Sequence, residues 1–151
     1  MATTPKLTAD QVAQVSQLLA EYISAQRGKY APRAVPLSIQ QRATLEPFFA
    51  RQILDKVRVL VLEDERVQNP EFYPMLRGLG FKNLPDQSAM GAITFSDVVV
   101  SHEPFSDGLL FHELVHVEQY TQLGIPYFSE MSRNMVSGYS RIGLEEIARS
   151  C

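Results

Sequence analysis

Residues Asp107 to Leu123 read DGLLFHELVHVEQYTQL, and their pattern is that of a helix packed on a core. Apolar residues recur at helical spacing, and Asp107 can cap the first turn. Gly124 and Pro126 follow directly and supply stop signals. We therefore predict a helix over about residues 108–123.

This predicted helix contains an H-E-x-x-H pattern formed by His112, Glu113 and His116. Positions four apart differ by about 40° around a helix axis and roughly 6 Å along it, so both imidazoles emerge on one face. Two imidazoles so placed can bind one zinc ion. Glu113 points to the side of the same cleft, where it can accept a proton from a water activated by the metal. The sequence predicts one Zn²⁺ per chain, with His112 and His116 as ligands and Glu113 as general base.

A catalytic zinc usually has a third protein ligand, and no histidine follows His116. A carboxylate is therefore expected. Glu145 is favoured, because a helix and a turn after the H-E-x-x-H helix can bring it back to the site. Glu146 and Glu130 remain alternatives, each of which can instead be a surface carboxylate.

Five further side chains are candidate neighbours of the site or lie on the same helix. His102 is a possible third ligand, against its interpretation as a loop histidine at a strand end. Gln119 lies on the face of His112 and can orient a ligand through a hydrogen bond. Tyr127 and Tyr139 are candidates to donate a hydrogen bond to a developing oxyanion, against simple packing roles. Glu118 falls about 200° around the helix from His116 and is expected to be a solvated charge.

The remaining elements are predicted from capping signals and apolar periodicity. Together they predict an α+β fold, a mainly helical domain with a small sheet or hairpin preceding the H-E-x-x-H helix. The first elements are a helix from Thr8 to Gly28 that opens with a capping box, a second helix that starts at Ser38 and breaks or kinks at Pro47, a buried strand over 57–62, and loops around one helical turn over 69–85. Strands over 92–95 and 98–100 form either a hairpin, which is favoured, or one bulged strand. Helices are predicted over 128–139 and 144–148.

Composition limits the function classes. The 151 residues are 45% hydrophobic and 21% charged, which suits one domain over residues 1–151, with N-terminal helices over 8–55 packing on the catalytic part. The net charge of −3 without a basic cluster argues against nucleic acid as a partner. Apolar stretches are too short to span a membrane. The first residues lack the pattern of a signal peptide, which favours a cytoplasmic location. Cys151 is the single cysteine, so no internal disulfide can form.

The run HELVHVEQY resembles the zincin metallopeptidases, in particular small bacterial members whose helix reads H-E-L-x-H-V-x-Q. The similarity extends from about Phe48 to Arg149. The later run LEEIA is similar to the segment in which gluzincin-type members place a glutamate ligand, which corresponds to Glu145. In that family a strand before the helix borders the cleft and pairs with an extended peptide, which implies a role for Ile93 to Phe95 or Val98 to Val100. The resemblance implies a zinc metallopeptidase acting on a peptide or protein substrate.

Two other interpretations stay open at this point. The first is a catalytically inactive zincin-like module, in which a metal stabilises a surface used for binding. The second is a metal-free helical interaction domain that carries the H-E-x-x-H pattern by accident.

Overall fold

The computed structural model of the chain describes residues 8–123, apart from the side chain of Leu123. The predicted helices over 128–139 and 144–148 lie outside this range. Within residues 8–123, five α-helices and three strands form an α+β arrangement, which confirms the predicted class. The helices are α1 (Ala9–Tyr30), α2 (Ile39–Leu45), α3 (Arg51–Lys56), α4 (Tyr73–Gly78) and α5 (Asp107–Leu123), and the strands are β1 (Arg58–Val61), β2 (Ala92–Phe95) and β3 (Val98–Ser101).

The strands form one sheet in the order β1-β3-β2. β2 and β3 form the predicted antiparallel hairpin, with Phe95 opposite Val98 at its closed end. β1 lies parallel to β3 on the other side. β3 is therefore the central strand, and all four of its residues are buried.

The two faces of the sheet are covered by different helices. Because side chains alternate along a strand, Val99 faces one side while Val98 and Val100 face the other. Val99 packs in a cluster with α5, α2 and α3, and Val98 and Val100 pack in a cluster with α1. Thus α1 packs on the sheet, α2 and α3 pack on α5, and α5 lies directly against the sheet.

The helix starts follow the capping chemistry of the sequence, with one correction. Thr8 and Ser38 each form a complete capping box, as predicted for α1 and α2. At the start of α5, however, the Ser106 hydroxyl accepts the Leu109 N–H at 3.0 Å. The prediction that Asp107 caps α5 is therefore wrong: Asp107 lies in the first turn, where its charge suits the positive end of the helix.

The hairpin turn combines backbone strain with an ion pair. Ser96 has φ 61°, a conformation that favours glycine. Asp97, the next residue, accepts two hydrogen bonds from the Arg27 guanidinium of α1, at 2.7 and 3.2 Å. The ion pair ties the turn to α1 and so supports the register of β2 against β3.

His102, directly after β3, joins two loops through both of its ring nitrogens. The buried Val67 N–H donates to Nε2 at 3.0 Å, so Nε2 carries a lone pair. Nδ1 then carries the hydrogen and donates to the Met90 carbonyl at 2.6 Å. His102 is the strand-end histidine of the sequence analysis, and its two nitrogens are committed to the backbone.

We expect His102→Ala to lower the free energy of unfolding by about 2 kcal/mol, because the buried Val67 N–H and the Met90 carbonyl lose their partner. Urea unfolding of chelator-treated protein measures the change. His112→Ala, which removes an exposed histidine of α5, is the matched control and should stay within about 0.5 kcal/mol of wild type. Equal losses in both variants would contradict the role given to His102.

No helix within residues 8–123 combines the length and apolar character that crossing a membrane requires.

Candidate metal centre

The two histidines of the H-E-x-x-H pattern emerge from one face of α5. Their ring centroids lie 5.0 Å apart and their planes are inclined by 80°. His112 is exposed and His116 is half-buried, so the pair sits at the edge between core and surface. This placement agrees with the face predicted from the spacing.

The distance between the two imidazole rings is close to that of two imidazoles bound to one zinc ion. An imidazole bound through nitrogen places its centroid about 3.2 Å from the metal, so two of them in a tetrahedral site have centroids roughly 5 Å apart. The observed separation of 5.0 Å is close to this value. Neutral imidazole pairs are also a donor set that zinc prefers. The residues present therefore fit a zinc ion.

Gln119 fixes which nitrogen of His116 is available. The Gln119 Oε1 atom lies 3.0 Å from Nδ1 of His116. An amide oxygen only accepts, so Nδ1 carries the hydrogen and Nε2 carries the lone pair that a metal would need. Gln119 is buried, which holds this arrangement away from water. Burial also lowers the pKa of His116, against the opposing effect of the Gln119 hydrogen bond, and so favours the neutral ring.

Glu113 lies between α5 and the sheet, with 5% of its surface exposed. Its Oε2 accepts a hydrogen bond from the Thr94 hydroxyl of β2 at 2.6 Å. Burial raises the pKa of Glu113, while the Thr94 hydrogen bond and the charge of His112 act in the opposite direction. A raised pKa makes the carboxylate a better proton acceptor near neutral pH.

Of the other candidate site residues, some lie within residues 8–123 and the rest lie outside the described range. Within residues 8–123, no group of three His, Cys, Asp or Glu side chains is placed to hold a metal. His102 is committed to Val67 and Met90, so the structure does not bring it to the pair. Glu118 is half-buried and accepts from Gln122 at 3.3 Å, on the surface of α5. Glu130, Glu145, Glu146, Tyr127 and Tyr139 all lie outside the described residues.

Thr94 is the site residue that sequence reasoning missed. It is the polar member of β2 on the face covered by α5, where it is 3% exposed. Its hydroxyl also lies 3.2 Å from the Glu113 carbonyl oxygen. The alternation of side chains along β2 (AITF) indicates this role. Ile93 and Phe95 face α1, so Thr94 faces α5 and needs a polar partner there.

The sheet order decides between the two strands proposed to border a cleft. β3 is paired on both sides, so Val98 to Val100 cannot pair with a peptide, and that alternative is wrong. β2 is an edge strand of the described sheet. The His102 N–H, directly after β3, donates to the Gly91 carbonyl. Because inward and outward main-chain groups alternate along an antiparallel strand, the main-chain groups of Ile93 and Phe95 also bond to β3. The main-chain groups of Ala92 and Thr94 point to the outer edge.

Comparison with family models, with curated proteins and with solved structures gives no match to this chain.

We expect Gln119→Leu to weaken zinc binding by about 10- to 100-fold, because the His116 ring loses the acceptor that sets its tautomer. Competition against a fluorescent zinc chelator measures the affinity. Gln119→Glu keeps an acceptor for the Nδ1 hydrogen and should bind zinc as tightly as wild type. Gln122→Leu, on the exposed face of α5, is the matched control. An unchanged affinity in Gln119→Leu would contradict this role.

In the zinc-free protein, the lowered pKa of His116 should make the free energy of unfolding decrease as the pH falls. Below the ordinary histidine pKa of about 6.5, the unfolded chain takes up a proton here that the folded chain resists. Wild type should therefore lose more stability than His116→Gln between about pH 7.5 and pH 5.5. Urea unfolding in the presence of chelator tests this, and parallel pH profiles would refute it.

Proposed function

We propose that this chain is a zinc-dependent hydrolase of the zincin type that cleaves peptide bonds. The observation that carries the proposal is the pair of imidazoles on α5, 5.0 Å apart, with the buried carboxylate of Glu113 between them in the sequence. His112 and His116 would hold the metal, and Glu145 is proposed as the third ligand.

Zinc, when bound, supplies Lewis-acid activation of a water molecule and of the scissile carbonyl. The remaining chemistry belongs to the residues of the chain. Glu113 takes a proton from the attacking water as the new C–O bond forms, and then gives it to the leaving amine nitrogen as the C–N bond breaks. The raised pKa of Glu113 suits both transfers, because the group must gain and lose a proton near neutral pH. Tyr127 and Tyr139 are proposed as hydrogen-bond donors to the developing oxyanion.

A peptide substrate is supported by the position of β2. The outer edge of β2 runs beside α5, since the Tyr120 hydroxyl of α5 donates to the Thr94 carbonyl at 3.4 Å. The N–H and C=O of the half-buried Ala92 point to this edge, whereas Thr94 is only 3% exposed and its carbonyl is occupied by Tyr120. An extended peptide added there would run alongside the H-E-x-x-H helix, and main-chain pairing places few demands on its side chains.

Elemental mass spectrometry on tag-free protein purified without chelators tests the metal site. We expect about one zinc per chain in wild type and its loss in His116→Ala, because two imidazoles are needed for tight binding. Absence of zinc in wild type, even after zinc is added back, would refute the metal site and favour a metal-free interaction domain.

Cleavage of a fluorogenic peptide library tests the chemistry. Glu113→Gln should keep its zinc and lose at least about 100-fold in kcat, because the general base is removed while both histidines remain. Glu118→Gln, a change of the same type on the same helix, should keep wild-type turnover. Zinc without cleavage in wild type would show a metal-binding module that is catalytically inactive.

A further inference from the structure

The Thr94 hydroxyl holds a carboxylate whose position matters for the proposed chemistry. Both side chains are buried, at 3% and 5% exposure, and the 2.6 Å hydrogen bond joins β2 to α5. Within residues 8–123, this is the one hydrogen bond that the Glu113 carboxylate makes. Among the described residues, the carboxylate is thus held at one oxygen, Oε2.

A second contact fixes Thr94 itself. Its carbonyl oxygen accepts from the Tyr120 hydroxyl, seven residues after Glu113 on the same helix. Thr94 is therefore joined to α5 through its side chain at Glu113 and through its main chain at Tyr120. This double attachment sets where β2 lies along α5, and with it where the hydroxyl meets the carboxylate.

From this arrangement we infer that Thr94 is a positioning residue for the general base Glu113. The inference rests on the proposed function. The hydroxyl occupies Oε2 and leaves Oε1 to take the proton. A glutamate has three side-chain torsions, and without this contact the carboxylate would sample other rotamers in a buried space, in most of which Oε1 is misplaced for proton transfer.

The test compares variants that keep or remove the hydroxyl. Thr94→Val is nearly isosteric and removes it, and should lower kcat by about 10- to 100-fold with KM within about threefold of wild type and an unchanged zinc content. Thr94→Ser keeps the hydroxyl and should recover most of kcat. Thr44→Val, on the exposed surface of α2, is the matched control and should leave kcat unchanged.

A second pair covers the case in which Thr94→Val does not fold. Thr94→Ser and Thr94→Ala differ by one hydroxyl, and kcat in the alanine variant should be about 10- to 100-fold below that in the serine variant. Thermal unfolding of each variant sets an assay temperature at which all are folded. A purely structural role would lower the unfolding temperature of the alanine variant and leave kcat equal in the two.

The outcomes separate this inference from the proposed function. Equal kcat in Thr94→Ser and Thr94→Ala, in a protein that binds zinc and cleaves peptides, overturns the role of Thr94 and leaves the proposed function intact. A wild type that binds no zinc or cleaves nothing overturns the proposed function, and the positioning role falls with it.

Discussion

The hydrogen bond between Thr94 and Glu113 is the contact on which the arrangement of the site depends. A carboxylate buried between a helix and a sheet is costly unless it is hydrogen-bonded, and the Thr94 hydroxyl meets that need from the facing strand. Because α5 is rigid, fixing Glu113 against β2 also fixes the direction in which His112 and His116 emerge. The contact that makes the burial tolerable thus also fixes where the carboxylate lies relative to the two histidines.

Two histidines of this chain show how hydrogen bonding decides what an imidazole can do. His102 uses both ring nitrogens on the backbone, at Val67 and Met90, and stabilises loops. His116 uses Nδ1 on Gln119 and keeps the lone pair of Nε2. Both residues are half-buried histidines, so neither residue type nor burial distinguishes them. The difference lies in the neighbours, and only the second arrangement leaves a nitrogen with which to bind a metal.

The parts of the structure that depend on local sequence could be predicted, and those that depend on distant contacts could not. The capping boxes at Thr8 and Ser38, the hairpin and the helix around His112 follow from residues within a few positions of each other. The parallel pairing of β1 with β3 joins segments about 40 residues apart, and no local pattern encodes it. For Thr94, the alternation along β2 indicates which face the side chain takes, but its partner Glu113 lies 19 residues later and is not indicated locally. The third ligand, whether Glu145, Glu146 or Glu130, is also a distant partner, and it lies outside the described residues.

The register of the hairpin links these local and distant features. Phe95 lies opposite Val98 across a turn of two residues, and Ser96 adopts φ 61° to close it. Side chains alternate with period two, so this register places Thr94 toward α5 and its main chain toward the outer edge. A shift by one residue would put Ile93 or Phe95 against Glu113 and leave the carboxylate buried without a donor. The ion pair between Arg27 and Asp97 supports the strained turn from α1, on the opposite face of the sheet. The orientation of the proposed general base is therefore determined partly by a turn that lies outside the site, because the turn decides which residue of β2 meets the helix.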